Sequence, residues 1–287
     1  MSKTTHPFVQ LLVMVAISLG MLLLASVFSA VLTLTGVDTM SAAGIRWSQA
    51  IISVLTFAVP PLLMTAIYYR GSAREFYGLD ANRRRTWVIA AAGVVAMLLV
   101  MPLNDVLGEW NESWNLGTVG EMLRKIQEQT EGVLETIIKT DTVGGLVANL
   151  LVVALAAAVC EELFFRCGIQ GLLQRWIGNR HAAVWLTALV FSLGHGELFS
   201  FMPRLVLGAV LGYLYAYGRS PLPNMIAHFI NNAIVVVLYW LVARGVIDID
   251  VEAPMHFPWM ATLVCTLAAV ALMWVTLGDK NQKNNTL

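Results

Sequence analysis

Charge is scarce in this chain. Only 13% of its 287 residues are Asp, Glu, Lys or Arg, where a soluble globular domain carries about a quarter. The eighteen acidic and eighteen basic side chains cancel, and no basic cluster interleaved with aromatics occurs, so nucleic acid is excluded as a partner. Cysteine is nearly absent. Cys160, Cys167 and Cys265 all sit in apolar runs, and they are odd in number with no CxxC pair. That excludes a disulfide framework and a structural zinc site. There is also no HExxH segment, no internal repeat, no linker and no second soluble domain.

What fills the chain instead is apolar sequence, 58% of it, with a mean hydropathy of +0.71. The apolar residues fall in blocks long enough to cross a bilayer, which predicts an all-α, polytopic transmembrane helical bundle. About eight spans are expected: 8–34, 47–69, 87–103, one starting near 143, 182–196, 205–217, 225–242 and 259–277. The first is too long for a signal-peptide core and is read as retained. Pro60 and Pro61 predict a kink in the second, with neighbouring helices satisfying the freed carbonyls. Five arginines between Arg70 and Arg85 place that loop in the cytoplasm, and eight acidic against three basic side chains in Asp105–Asp141 suit the outer side. The protein is thus expected to be integral to the cell (inner) membrane with both termini cytoplasmic. Within the outer loop, Val119, Met122, Leu123, Ile126, Val133, Leu134, Ile137 and Ile138 recur at helical spacing. They predict one extramembrane amphipathic helix lying on the membrane surface, either a lid or a plain interfacial element. The chain divides into 1–142 (three spans and the outer helix), 143–278 (a helical core) and a polar tail, 279–287, expected to be disordered.

Against this background a few polar groups stand out. Glu161, Glu162 and Arg166 interrupt the fourth span, and each costs roughly 2.5–3.5 kcal/mol on insertion scales. Residues four apart share a helix face, so Glu162 and Arg166 pair and offset two burial costs, as a structural ion pair. Glu161 points about 100° away, left without a local partner and free to act as a general base. Its neighbour Cys160, as a buried thiol, reads as inert packing rather than as a nucleophile. Phe191 and His195 lie in the fifth span, and His195 alone would read as a satisfied core histidine. In the seventh, Asn224, His228 and Asn232 follow one face, with Asn231 beside them. Imidazole and carboxamide are good donors to a developing oxyanion, although helix-packing hydrogen bonds would use the same groups. The case for chemistry is convergence: a carboxylate, two histidines and an amide on three spans. Gly208 and Gly212 form a GxxxG in the sixth.

Three motifs in this order, Glu161-Glu162-x-x-x-Arg166, Phe191-x-x-x-His195 and His228-x-x-x-Asn232, resemble those of the CPBP family. That family comprises the type II CAAX prenyl endopeptidases and the bacterial Abi or bacteriocin-immunity proteins. The resemblance covers about 157–233 and departs from it at Cys167, where the family commonly has glycine. It implies a glutamate-type intramembrane endopeptidase acting on a peptide or protein at the membrane. Glu161 and His195 would activate a water, His228 and Asn232 would stabilise the oxyanion, and Glu162 and Arg166 would support the site. No cofactor is the favoured expectation. The alternative is a divalent metal such as zinc held by Glu161, His195 and His228, a His₂Glu set, against which stand the missing HExxH and the dispersal of the ligands over three helices. Two other functions fit the same residues: a non-catalytic immunity or scaffold protein, and a proton-coupled transporter, the latter weakened by the absence of an inverted repeat.

Overall fold

The structure is a computed structural model that describes residues 5–77, 83–218 and 220–278. The polar tail and the middle of the arginine-rich loop, 78–82, lie outside the described residues. Among those residues every regular element is helical. Helix α1 is Pro7–Leu34 and α2 is Ala42–Tyr68. The short α3, Ala73–Tyr77, precedes α4, Arg83–Leu99, and α5, Met101–Glu112. Helix α6 is Gly117–Ile138 and α7 is Val143–Ile177. Then come α8, Arg180–Gly194, α9, Phe201–Gly218, α10, Leu222–Ala243, and α11, Trp259–Leu277.

Of these, α1, α2, α7, α9 (from Leu198), α10 and α11 are long and apolar enough to cross a membrane, and α4 with α5 makes a seventh if that pair, bent by 44°, is one span. The molecule is an integral membrane protein. The expected eight spans are therefore six or seven by length. The difference is α8, the expected fifth, which has 15 residues. At 1.5 Å per residue it reaches about 22 Å, short of a hydrocarbon core of about 30 Å.

Local chemistry explains where the helices begin, bend and stop. Pro60 has no N–H to offer the carbonyl of Thr56 one turn back. That carbonyl instead accepts a hydrogen bond from the Ser18 hydroxyl on α1, at 2.8 Å. A π-helical turn over Val54–Ala58 directly precedes the prolines, and the helix runs on through them to Tyr68. The α4–α5 bend falls at Val100, just before Pro102. Helix α7 starts at Thr142, whose Oγ1 accepts from Gly145 N at 3.0 Å. It ends at Gly178, whose φ of +71° is open to glycine at no steric cost. Asn179 caps α8 through Ala182 N at 3.1 Å.

The layers close around α7, which packs against α1 and α2 on one side and α8 and α10 on the other. Met14, Met64, Phe164, Phe165, Cys167, Leu172, Phe191 and Tyr215 form a core along it. The departure at Cys167 is thus a core packing position. Helix α6 lies outside the bundle as expected. Val119, Met122, Ile126, Val133 and Leu134 are exposed on it, an apolar stripe turned away from the protein, as for a helix on a bilayer surface. Its C-terminal end is pinned where Arg46 donates to Asn149 Oδ1 (2.8 Å) and to the Ile137 carbonyl (3.0 Å).

Candidate active site

The polar anomalies of the sequence gather around α7. After a π-helical stretch over Leu150–Ala156, regular α-helix carries the two glutamates and a second π stretch covers Leu163–Gln170. Such stretches concentrate at functional sites. Glu162 and Arg166 are both fully buried, and Arg166 Nε stands 3.3 Å from Glu162 Oε2. The i,i+4 pair expected from spacing is formed. Arg166 also places its guanidinium 4.7 Å over the Phe191 ring and donates to the Gly208 carbonyl at 3.5 Å.

Glu162 has further partners, both on α10. Asn224 Nδ2 donates to its Oε2, and His228 Nδ1 lies 3.0 Å from its Oε1. One buried carboxylate thus ties α7 to α10 and orients the imidazole of His228. This leaves His228 Nε2 pointing at the other glutamate, 3.9 Å from Glu161 Oε2. That distance is too long for a direct hydrogen bond. Glu161 Oε2 is buried and has no hydrogen-bond partner. Two adjacent carboxylates therefore have opposite situations, one saturated and one with an open oxygen, which is the division their spacing predicts.

His195 caps the C-terminal end of α8 rather than lying within the helix. Its Nδ1 is 2.8 Å from the Phe191 carbonyl. A carbonyl can only accept, so Nδ1 carries the proton and the neutral ring keeps Nε2 as an acceptor. The Phe191 ring sits 4.8 Å from His195 and 6.1 Å from His228, between centroids. One aromatic ring thus spaces both histidines and the arginine. Asn232 follows one turn after His228, half-buried; its Oδ1 accepts from Asn231 Nδ2 at 3.3 Å, which leaves its own Nδ2 as a donor.

Close helix approach makes this gathering feasible. A Cβ at Gly208 would lie 3.2 Å from Ala188 and from the Phe191 ring, and one at Gly212 would lie 2.9 Å from Val184 and 3.0 Å from Gln170 Oε1. The GxxxG pattern brings α9 against α7 and α8 together. Gln170, fully buried, donates to the Gly212 carbonyl at 2.8 Å. Neither Gln170 nor the role of Asn224 as a Glu162 partner was assigned from sequence, although Gln170 stands four residues after Arg166 and that spacing was a usable signal.

Among the described residues no group of three or more His, Cys, Asp or Glu is placed to hold a metal ion. Of the alternative zinc set, His228 has Nδ1 turned to Glu162 and His195 has Nδ1 turned to a carbonyl, which leaves Nε2 open on both rings. Residues 143–234, a segment containing all three motifs, match the family of type II CAAX prenyl endopeptidases, Rce1-like, and the resemblance drawn from those motifs is borne out over that segment. No curated protein and no solved structure matches the chain.

Proposed function

We propose that the segment similar to Rce1-like endopeptidases is the working core of an intramembrane endopeptidase that hydrolyses membrane-associated or CAAX-like peptides and proteins. The observation that carries this reading is the open oxygen of Glu161 facing His228 across 3.9 Å, beside a Glu162 with three partners. A gap of that size between two polar groups is one that a water bridges. Glu161 acts as general base toward the attacking water, and His195, an acceptor at Nε2, shares that water's proton. As the water adds to the scissile carbonyl, negative charge grows on the carbonyl oxygen. Asn232 Nδ2 and His228, through Nε2, receive it. Glu162 holds His228 in register through Nδ1, and Arg166 balances the Glu162 charge. Proton return from Glu161 to the leaving amine completes the hydrolysis.

Purified protein incubated with quenched fluorescent CAAX-type and membrane-associated peptides tests the reading. Cleavage is expected to fall about 10²–10⁴-fold in Glu161→Gln, the usual contribution of a positioned base. It should fall about 10²–10³-fold in His228→Ala, as for loss of an oxyanion donor. If both variants cleave as fast as the parent, the assignment is wrong.

A further inference from the structure

The polar row on α7 runs past the two residues of the ion pair. Glu162, Arg166 and Gln170 recur every four residues and so lie along one face of the helix. All three are fully buried. Arg166 donates through Nη2 to the Gly208 carbonyl, and Gln170 through Nε2 to the Gly212 carbonyl. Arg166 Nη1 and Gln170 Oε1 have no hydrogen-bond partner among the described residues.

A third open atom stands opposite them on α8. Thr187 is 1% exposed, and its Oγ1 also has no partner among the described residues. Its place follows from the contacts on either side of it. The Arg166 guanidinium lies 4.7 Å over the Phe191 ring. Gln170 Oε1 and Val184 Cγ1 flank the same point, 3.0 and 2.9 Å from where a Cβ of Gly212 would stand. Thr187 comes three residues after Val184 and four before Phe191, on the same face of α8. Its hydroxyl therefore falls between the contact made by Gln170 and the contact made by Arg166.

Buried polar atoms are nearly always paired, so three open ones in one place call for a shared partner. Their chemistry selects it. Arg166 Nη1 can only donate, Gln170 Oε1 can only accept, and the Thr187 hydroxyl does either. The amide oxygen would repel an anion and the guanidinium would repel a cation. The partner is neutral, small, and able both to accept and to donate. We propose that one internal water is bound here between α7 and α8. It accepts from Arg166 Nη1, donates to Gln170 Oε1 and bonds the Thr187 hydroxyl. Three hydrogen bonds are the usual complement of a buried water. This water fixes the guanidinium that faces Glu162 and ties α7 to α8. It is distinct from the water assigned to Glu161, and it stands whether or not the protein cleaves peptides.

Equilibrium unfolding in detergent tests this through the sign of one substitution. Thr187→Val keeps the side-chain shape and removes the hydroxyl. Removing an unpaired buried hydroxyl leaves stability unchanged or raises it, whereas removing one bonded to a water lowers it. Thr187→Val is expected to shift the equilibrium about fivefold toward the unfolded state, the effect of losing one typical hydrogen bond. In a Gln170→Met background the same substitution should have little effect, because the water has already lost its acceptor. A second readout is independent of stability. X-ray radiolysis turns a bound water into a hydroxyl radical in place, so Val184, fully buried beside Gln170, should be oxidised in the parent and spared in Thr187→Val. Three results would overturn the assignment: Thr187→Val as stable as the parent or more so, a full-sized loss in the Gln170→Met background (a hydroxyl bonded to its own helix carbonyl), or an unoxidised Val184 in the parent.

Discussion

At the scale of single residues, the site rests on a difference between neighbours. Glu162 has Arg166, Asn224 and His228, whereas Glu161 keeps an open, buried oxygen. Their substitutions should therefore behave differently. Breaking a buried charge pair typically costs about 3–5 kcal/mol, so Glu162→Gln should unfold markedly earlier in a denaturation series, besides losing activity. Glu161→Gln should unfold no earlier than the parent while losing cleavage. A Glu162→Gln variant as stable as the parent would deny Glu162 its structural role. Asn224→Leu removes one donor from Glu162 and should lower the cleavage rate through a mispositioned His228; a shifted pH profile with an unchanged KM would separate this from general unfolding. Dialysis against EDTA should leave cleavage unchanged, because each step is assigned to a side chain. Loss of activity that zinc restores would sink that mechanism. The i,i+4 spacing made the Glu162–Arg166 pair legible in the sequence. It could not reveal that Asn224 and His228 converge on Glu162, since they lie more than sixty residues away and only packing brings them there.

At the scale of elements, two devices hold the clustered polar groups in place. The first is the glycine face of α9. In Gly212→Ala the new methyl meets Val184 and the oxygen of Gln170, and overpacking of this kind costs about 1–3 kcal/mol. Thermal unfolding in detergent should shift downward and cleavage should fall with it, whereas Gly132→Ala, where a Cβ meets nothing within 4 Å, should be silent. The second device is the docking of α6 on the loop after His195. Gln127 Oε1 accepts from Phe199 N at 3.3 Å and the Arg124 guanidinium lies 3.9 Å over the Phe199 ring, while Asn111 of α5 bonds the same loop at Leu198 O (2.9 Å) and Met202 N (2.7 Å). Gln127→Ala strips a buried N–H of its acceptor, a loss of about 1–3 kcal/mol. Hydrogen exchange over 196–202 should accelerate while α10 is unchanged, and unchanged protection there would show that α6 does not hold the loop. The amphipathic period of α6 was plain in the sequence. Its docking face was not, because Gly120, Arg124 and Gln127 share one helix face but are not apolar, so hydropathy does not mark them.

At the scale of the whole molecule, length and hydropathy identify the spans, and charge asymmetry predicts their orientation. The reading that puts the arginine-rich loops on one side and Asp105–Asp141 on the other is open to a direct check. With Cys160, Cys167 and Cys265 replaced, a cysteine at Thr130, on exposed α6, should react with a membrane-impermeant maleimide from outside intact cells, and one at Arg74 should not. The reverse pattern would invert the topology.

The sequence by itself determined the helical membrane class, most of the spans, the three motifs and the pairing of Glu162, not Glu161, with Arg166. All of these follow from hydropathy and from the fixed angular step of a helix, which are local. The tertiary structure decided the rest. It placed His195 at the end of a short helix and turned His228 by its bond to Glu162. It satisfied the Thr56 carbonyl freed by Pro60 with Ser18 of another span. Each of these depends on which faces meet across helices distant in the chain. That is set by packing and by the need to satisfy buried polar groups, and no local period encodes it.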